Sequence, residues 1–465
     1  MIWLIARRDL LERWRDGRLF WAGGMIMVLL FTALAIGYQH RQQARAEQRA
    51  AQSADYADWL KQGRRHPHDA AHQGMHAFKP EAALSLIDPG INPYIGSTIW
   101  LQAHRQSEVM FRPAQDATGL QRFGDLSAGW ILQVLGPLLV IVLGFNAFAG
   151  EREQGILRQS MSLGVPASRM LWGKAGALGL SLIILLAPAG VIAGIAAMVA
   201  ADPGAGADTL LRFCLLVLCY CLYLAVFVFL TLGTSAAAST SRVAITVLLA
   251  LWIANAVIAP RVIAELSRRL YPTPTRLEFN HQLDADLKAT SDRLWQANFG
   301  TTERWGRDVP LSKWGLALQL DDHASYPVYD RNFGRLWDTW ERQQSVQEWS
   351  GALLPMLAMR ALSTNAAGTD FGHHRSFTTA AEQHRRLIQD IVSADLVQHA
   401  DVLGGQHFAY QSGPELWQRI PAFDYHPPAA GWAIQRSWRS WLSLCVALLL
   451  AVVFAWQASA RQRAF

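Results

Sequence analysis

Six apolar runs punctuate this chain, at residues 19–38, 128–149, 175–200, 210–236, 243–260 and 440–458. Each is about 18 residues or longer, the length a helix needs to cross ~30 Å of hydrocarbon. A soluble helix must offer one polar face to water, and runs of this length offer none. In lipid the backbone has to satisfy its own hydrogen bonds, so the runs are expected to be helices. Pro137 and Pro188 fall inside two of them and are expected to kink them. The expected fold class is therefore an all-α membrane protein with six transmembrane helices. The fifth run is the shortest, and its end at Pro260 is its least defined boundary.

The hydrophobic share, 51%, is only modestly high because it averages two populations. Between the apolar runs lie two long polar inserts, 39–127 and 261–439, which hold most of the charge. Each is long enough to fold. Lys and Arg set the orientation. Arg7, Arg8, Arg13, Arg15 and Arg18 precede the first run, and Arg152, Arg158, Arg169 and Lys174 lie between the second and third. Arg242 lies between the fourth and fifth, and Arg461 and Arg463 follow the sixth. The short loop 201–209 has Asp202 and Asp208 and no base. Both termini, including the tail 459–465, are then cytoplasmic and both inserts extracytoplasmic. Anionic lipid accounts for the net charge of +6, and no nucleic acid is needed.

Residues 1–18 alternate Ile2, Leu4, Ile5, Leu11 and Trp14 with Arg7, Arg8, Asp9, Arg15 and Asp16. This pattern is that of an amphipathic helix lying in the inner interface. Ala33-Leu34-Ala35 looks like a signal cleavage site, but the run before it exceeds the ~7–15 residues of a signal core. The first run is read as an anchor. Cys214, Cys219, Cys221 and Cys445 all lie in apolar runs, so the inserts must be held by packing alone. Their material includes Trp59, Trp100, Trp295, Trp305, Trp314, Trp337, Trp340, Trp349 and Trp417. Apolar spacing predicts that the first run extends as a helix through 41–60. In the second insert it predicts helices over 276–295, 332–362 and 377–399, the last with Ser376 as its N-cap.

A phosphate-cradling loop would read Gly-x-x-x-x-Gly-Lys-Ser/Thr. The nearest candidate, Gly173-Lys174, has Ser168 in place of the first Gly and Ala175 after the Lys. No catalytic constellation stands out, no cofactor is expected in this chain, and any ATPase is another chain. No run carries an acidic residue at its middle, so ion-coupled transport lacks its usual mark. Gln133, Asn146, Arg212 and Asn255 read as interhelical bonding groups, and Gly190-x-x-x-Gly194 as a close-approach motif.

The loop 150–174 reads GEREQGILRQSMSLGVPASRMLWGK. Glu151 and Glu153 suit the positive end of a short helix. The run Gly150–Arg158 leading to Gly173-Lys174 resembles the coupling-helix region of ABC-2 type ABC transporter permeases, with Ile156 where Thr is usual. Pro67, His68, Ala70, Ala71, His72 and Gly74, then Ala77-Phe78-Lys79-Pro80, Asp88-Pro89-Gly90, and Leu101, Ala103 and His104 are similar to the first insert of such permeases that carry the DUF3526 region. Leu362-Ser363, Gly368-Thr369-Asp370, His374, Phe377, Ala381-Glu382 and Arg385 resemble that region itself. The resemblance implies a permease subunit in the bacterial inner membrane, exporting or extracting an unidentified substrate. It implies two copies of an ABC ATPase holding ATP-Mg and a second permease chain as partners, and the inserts leave room for a periplasmic partner protein. Glu151, Arg152, Glu153, Gly155, Leu157, Arg158 and Leu163 are the residues it implies for ATPase coupling, with Leu157 and Leu163 as apolar anchors.

All 14 histidines lie in the inserts. His66, His68, His72 and His76 cluster there, and His68, His72 and His76 are spaced as one helix face, a candidate metal site. Gly74 weakens that helix. Buried, hydrogen-bonded histidines with no tightly held zinc or copper are the leading reading. Two alternatives to the permease thus stand beside it: an anchored metal-handling protein, and a membrane scaffold or sensor.

Overall fold

The computed structural model describes residues 1–116, 126–304 and 309–461. Trp305 and Arg463 lie outside the described residues. Among the described residues, six helices are long and apolar enough to cross a membrane: Arg18–Lys61, Ala128–Glu153, Ala167–Ala200, Gly206–Ala237, Ser241–Leu270 and Trp438–Ala460. The chain is an all-α membrane protein. The second span has a turn at 145–148 between helices Ala128–Gly144 and Ala149–Glu153. The fifth runs on past Pro260 through a π-helical turn at Ala254–Ile258 and ends at Leu270. Pro137 and Pro188 both sit inside helices.

Between lipid-embedded helices there is no strong hydrophobic drive, so close packing of small residues has to hold them. Ala447, Ala451, Ala455 and Ala458 form a buried stripe along the sixth span. It lies on the fourth span so closely that a Cβ on Gly233 would meet the Phe454 ring at 2.6 Å. In the third span Ala189, Ala193 and Ala197 are buried at helical spacing. Of the glycine pair there, a Cβ at Gly194 would meet the Phe213 ring at 2.9 Å, whereas Gly190 has nothing within 4 Å.

The first span has 44 residues, about 66 Å at 1.5 Å per residue, so its C-terminal half projects beyond any bilayer. Its stem is clamped where it leaves the bundle. Arg41 donates to the carbonyls of Ala82 (2.9 Å) and Ala200 (2.6 Å), and Arg45 to that of Ala200 (2.9 Å). Both guanidiniums thus cap the C-terminal end of the third span, where cations are favoured.

The two inserts share one core. Trp59, Ala70, Met75 and Leu101 of the first pack with Phe377, Ala381 and Trp417 of the second. Trp59 Nε1 donates to the Trp417 carbonyl (3.1 Å), and Trp417 Nε1 to that of Gly63 (2.8 Å). The first insert holds an antiparallel pair, Met75–Phe78 with Thr98–Leu101, that apolar periodicity did not indicate. In the second, helices Arg276–Phe299 and Trp314–Ser350 pair through Leu283, Val328 and Tyr329.

The helix expected over 332–362 is two helices, Trp314–Ser350 and Pro355–Ala367. A turn at 351–354 separates them, and Pro355 opens the second, at the first-turn position where its missing amide leaves no helix bond unmade. The helix expected from Ser376 starts earlier, as Phe371–Asp395, with Asp370 as N-cap. Asp370 accepts from the His373 amide (3.1 Å) and from His373 Nδ1. Burial pushes its carboxyl up, but the charge and hydrogen bonds of His373 prevail and hold it down at about 2.

Candidate functional site

Two regions gather polar side chains against the spans: the loop 150–174 at one end of the bundle, and the junction of the inserts at the other. At the loop, helix Ala149–Glu153 turns at Gly155 into helix Ile156–Ser162, and a second turn at Leu163–Gly164 leads into the third span. Gly155 (φ +75°) and Gly164 (φ +77°) both take the left-handed backbone that glycine adopts at no steric cost.

Most of the charge on this loop is spent inside the chain. Glu151 pairs with Lys174 (2.8 Å), which also meets Asp9 of the N-terminal helix Ile2–Arg15 (3.2 Å). Lys174 is 2% exposed and lies over the Phe148 ring at 5.3 Å. Arg152 donates to the carbonyls of Ala236 (2.7 Å) and Ala238 at the C-terminal end of the fourth span. Glu153 accepts from the Ser241 amide (2.9 Å) and hydroxyl (2.7 Å), at the N-terminus of the fifth. Arg152 and Glu153 each face the helix end whose dipole favours that charge. The Phe148 and Ala149 amides donate to Ser235 Oγ (3.0 and 3.1 Å).

Of the apolar anchors, Leu157 is 3% exposed and belongs to the bundle core, so it has no surface to offer a partner. Leu163 is 83% exposed at the tip of the loop, and Arg158 and Arg169 are exposed near it in sequence. The N-terminal helix is turned the same way. Asp9, Arg13 and Ala6 face the protein, with Arg13 Nε donating to the Leu143 carbonyl (3.0 Å). Trp3, Leu4, Leu11 and Trp14 are exposed, which suits lipid.

At the other end, motifs of both inserts converge on Asp88. Its carboxylate accepts from Gln133 Nε2 (3.1 Å), from the Gly90 amide (3.0 Å) and from Ser363 Oγ. Thr369 Oγ1 donates to the Asp88 carbonyl (3.0 Å). Gly90 lies so close to Thr369 that a Cβ there would meet its Oγ1 at 2.4 Å. Tyr220 of the fourth span joins through Ser363 Oγ (3.0 Å), and Tyr223 donates to the Gln133 carbonyl (2.7 Å). Arg212 bonds Asp208 (2.7 Å) and the terminal carbonyls of Asn365 (3.4 Å) and Ala366 (3.3 Å). Asn146 Oδ1 accepts from Arg18 (2.8 Å) and Asn255 Oδ1 from the Met356 amide (3.2 Å).

Between the first four spans lies an apolar cavity of about 650 Å³, lined among others by Leu34, Leu132, Gly179, Phe213, Leu224 and Phe229. Among the described residues, no charged side chain lines it.

The histidines of the first insert separate. His68 and His72 lie on helix Pro67–Gln73, which Gly74 (φ +61°) ends. His76 is therefore on a strand, not on the helical face that its spacing suggested, and its Nδ1 bonds Asp55 (2.6 Å). His66 is buried, its ring 6.3 Å from that of Trp314 and 5.4 Å from that of His407. His104, 32 residues beyond His72 in the chain, comes to His68 and His72 instead, with one ligand atom of each within 4.8 Å of the others. Sequence spacing could not supply His104; its one signal was membership in the run Leu101–His104.

The model of the ABC-2 family transporter protein matches residues 3–294. The model of DUF3526, a domain of unknown function, matches residues 263–426. No curated protein matches the chain.

Proposed function

From the premise that this chain belongs to the ABC-2 transporter family, we propose that it is a permease which a separate ATPase drives through the loop 150–174. Membership makes it a multi-pass membrane component of an ABC transporter that associates with an ABC ATPase. The finer reading is ours. Two permease chains, alike or different, stand with two ATPase copies that hold ATP-Mg. The loop and both termini are cytoplasmic, and the inserts are extracytoplasmic in a bacterial inner membrane. The direction is export or extraction.

The observation that carries the mechanism is the way the loop is tied. Glu151, Arg152 and Glu153 attach it to the third, fourth and fifth spans, and Lys174 attaches it to the N-terminal helix. A push on its tip therefore reaches four helices together instead of dissipating in a soft loop. The part that a partner can grip is the exposed tip, Leu163 with Arg158 and Arg169. An exposed leucine flanked by guanidiniums suits a groove with an apolar floor and acidic rim. A few buried side chains usually carry most of the energy of such a contact. The cavity between the spans accepts hydrocarbon, so a lipid or an acylated molecule is the cargo chemistry that its lining favours.

The test is co-purification of the ATPase with wild-type protein and with the double variant Leu163→Asp/Arg158→Glu, followed by ATPase activity in liposomes. The variant should insert normally and lose the ATPase or its coupled activity. Unchanged association and unchanged coupling would remove the tip as the contact.

A further inference from the structure

We propose that His68, His72 and His104 form a three-imidazole site for a divalent transition-metal ion of the zinc class. Two ligands come from one helix at i and i+4, so their side chains leave the same face. Their rings stand 4.5 Å apart between centroids, with the Nε2 atoms at 3.0 Å. The third arrives from the segment after strand Thr98–Leu101, its ring centroid 5.1 Å from His68 and 5.2 Å from His72.

The arrangement is built rather than incidental. The Ala103 amide donates to the Ala71 carbonyl (3.0 Å), which fastens this segment to the helix that bears His68 and His72. The Tyr329 hydroxyl donates to the His104 carbonyl (3.0 Å). His104 itself is held at φ +61°, a left-handed backbone that residues other than glycine seldom adopt. Strain of this kind persists where surrounding contacts fix a side chain in place for a purpose.

The chemistry of the three rings agrees. Nδ1 of His104 lies 3.2 Å from the buried carboxylate of Asp322, which orients the ring and leaves Nε2 as the lone-pair donor. A carboxylate behind a ligating imidazole is the usual outer partner of a metal-bound histidine. Tetrahedral zinc at 2.0–2.1 Å sets its nitrogens about 3.3 Å apart. The His68–His72 pair is already close to that, and small rotamer changes bring in the third. Trp314 walls one side, edge-on to His68 at 4.8 Å. His72 is solvent-exposed, which leaves a fourth position open to water or an incoming ligand. Three imidazoles with an open position are the donor set of exchangeable and reactive zinc sites rather than of closed structural ones. The site lies outside the spans and does not depend on how the ATPase is coupled.

The experiment uses the full chain in detergent, stripped with a chelator and dialysed against micromolar zinc. Bound zinc is counted by mass spectrometry, and melting temperature is followed with and without the ion. Wild-type protein should hold about one zinc per chain and melt higher with it. His104→Ala and His72→Ala should lose the ion, while His76→Ala, off the site, should keep it. Asp322→Ala should weaken binding by about 10–100-fold. His72 is exposed, so its variant is expected to fold and decides the matter if His104→Ala does not. Absence of zinc above background in wild-type protein overturns the site, as does equal loss in His76→Ala and His72→Ala.

Discussion

Lys174 shows what a single residue gains from distant partners. Its neighbours in sequence suggested a failed phosphate loop, an orientation-setting base and the end of a coupling motif, but no partner, yet its ammonium sits between Asp9 and Glu151 at 3.2 and 2.8 Å. Removing one member of a buried ion group leaves an uncompensated charge and costs roughly 3–5 kcal/mol. Lys174→Ala should therefore lower the melting temperature sharply in detergent. Glu151→Gln combined with Lys174→Met should cost less than the two singles added, because each already disables the other. Additive losses would show that the pair does not interact. Glu348 gives a prediction in pH. Burial raises its carboxyl from 4.5 to about 7 despite the Gln344 hydrogen bond and Arg439. Between those values the folded protein keeps a proton that the unfolded chain has released, so this group's contribution to stability falls as pH rises through that window. Relative to wild type, Glu348→Gln should gain about 1 kcal/mol between pH 6 and pH 8, read as a flatter melting curve against pH. An unchanged pH profile would remove Glu348 as the titrating group.

At the scale of elements, the small-residue stripe of the sixth span determines how closely it meets the fourth. Ala451→Leu inserts three carbons into that contact and should cost about 1–3 kcal/mol, whereas Leu449→Ala, on the exposed face, should be nearly neutral. Thermal unfolding of both variants in detergent checks the contrast. The opposite experiment probes the cavity. A Cβ at Gly179 would meet nothing within 4 Å and the residue lines the cavity, so the side chain of Gly179→Leu has that space to enter and should leave stability unchanged or slightly raised. If hydrocarbon cargo occupies that space, substrate-stimulated ATPase activity should fall in the same protein; full stimulation would exclude the cavity from the path. Elements were legible where one period dominated. The apolar runs announced helices, but length within the polar segments did not follow from spacing. The helix at 332–362 divided at the turn 351–354, after which Pro355 takes the first-turn position that suits it, and the one at 377–399 started early because Asp370, not Ser376, caps it. Neither a capping bond such as that of Asp370 nor a turn is recorded by apolar periodicity.

For the whole molecule, the asymmetry of Lys and Arg leads to a topology that labelling can read. Single cysteines at Gln73 and Asp330 should react with an impermeant reagent from outside in spheroplasts, and one at Gln159 only after permeabilisation. Outside labelling at Gln159 would refute the arrangement and with it the coupling role of the loop. By itself the sequence determined that this is a six-span helical membrane protein, because an apolar run of that length has few other stable fates, and its loop and insert motifs determined the family. It did not determine what the charged residues do. Glu151, Arg152 and Glu153 looked like a docking surface and are ties to other helices, while Leu163 alone of the two anchors faces outward. His104 joins His68 and His72 only where the first insert folds back on itself, and Asp88 meets Ser363 across 275 residues only where the two inserts meet. Hydrophobic patterning is a local property that survives in one dimension. The pairing of charges and imidazoles depends on which surfaces the tertiary fold presses together, and no spacing along the chain encodes that.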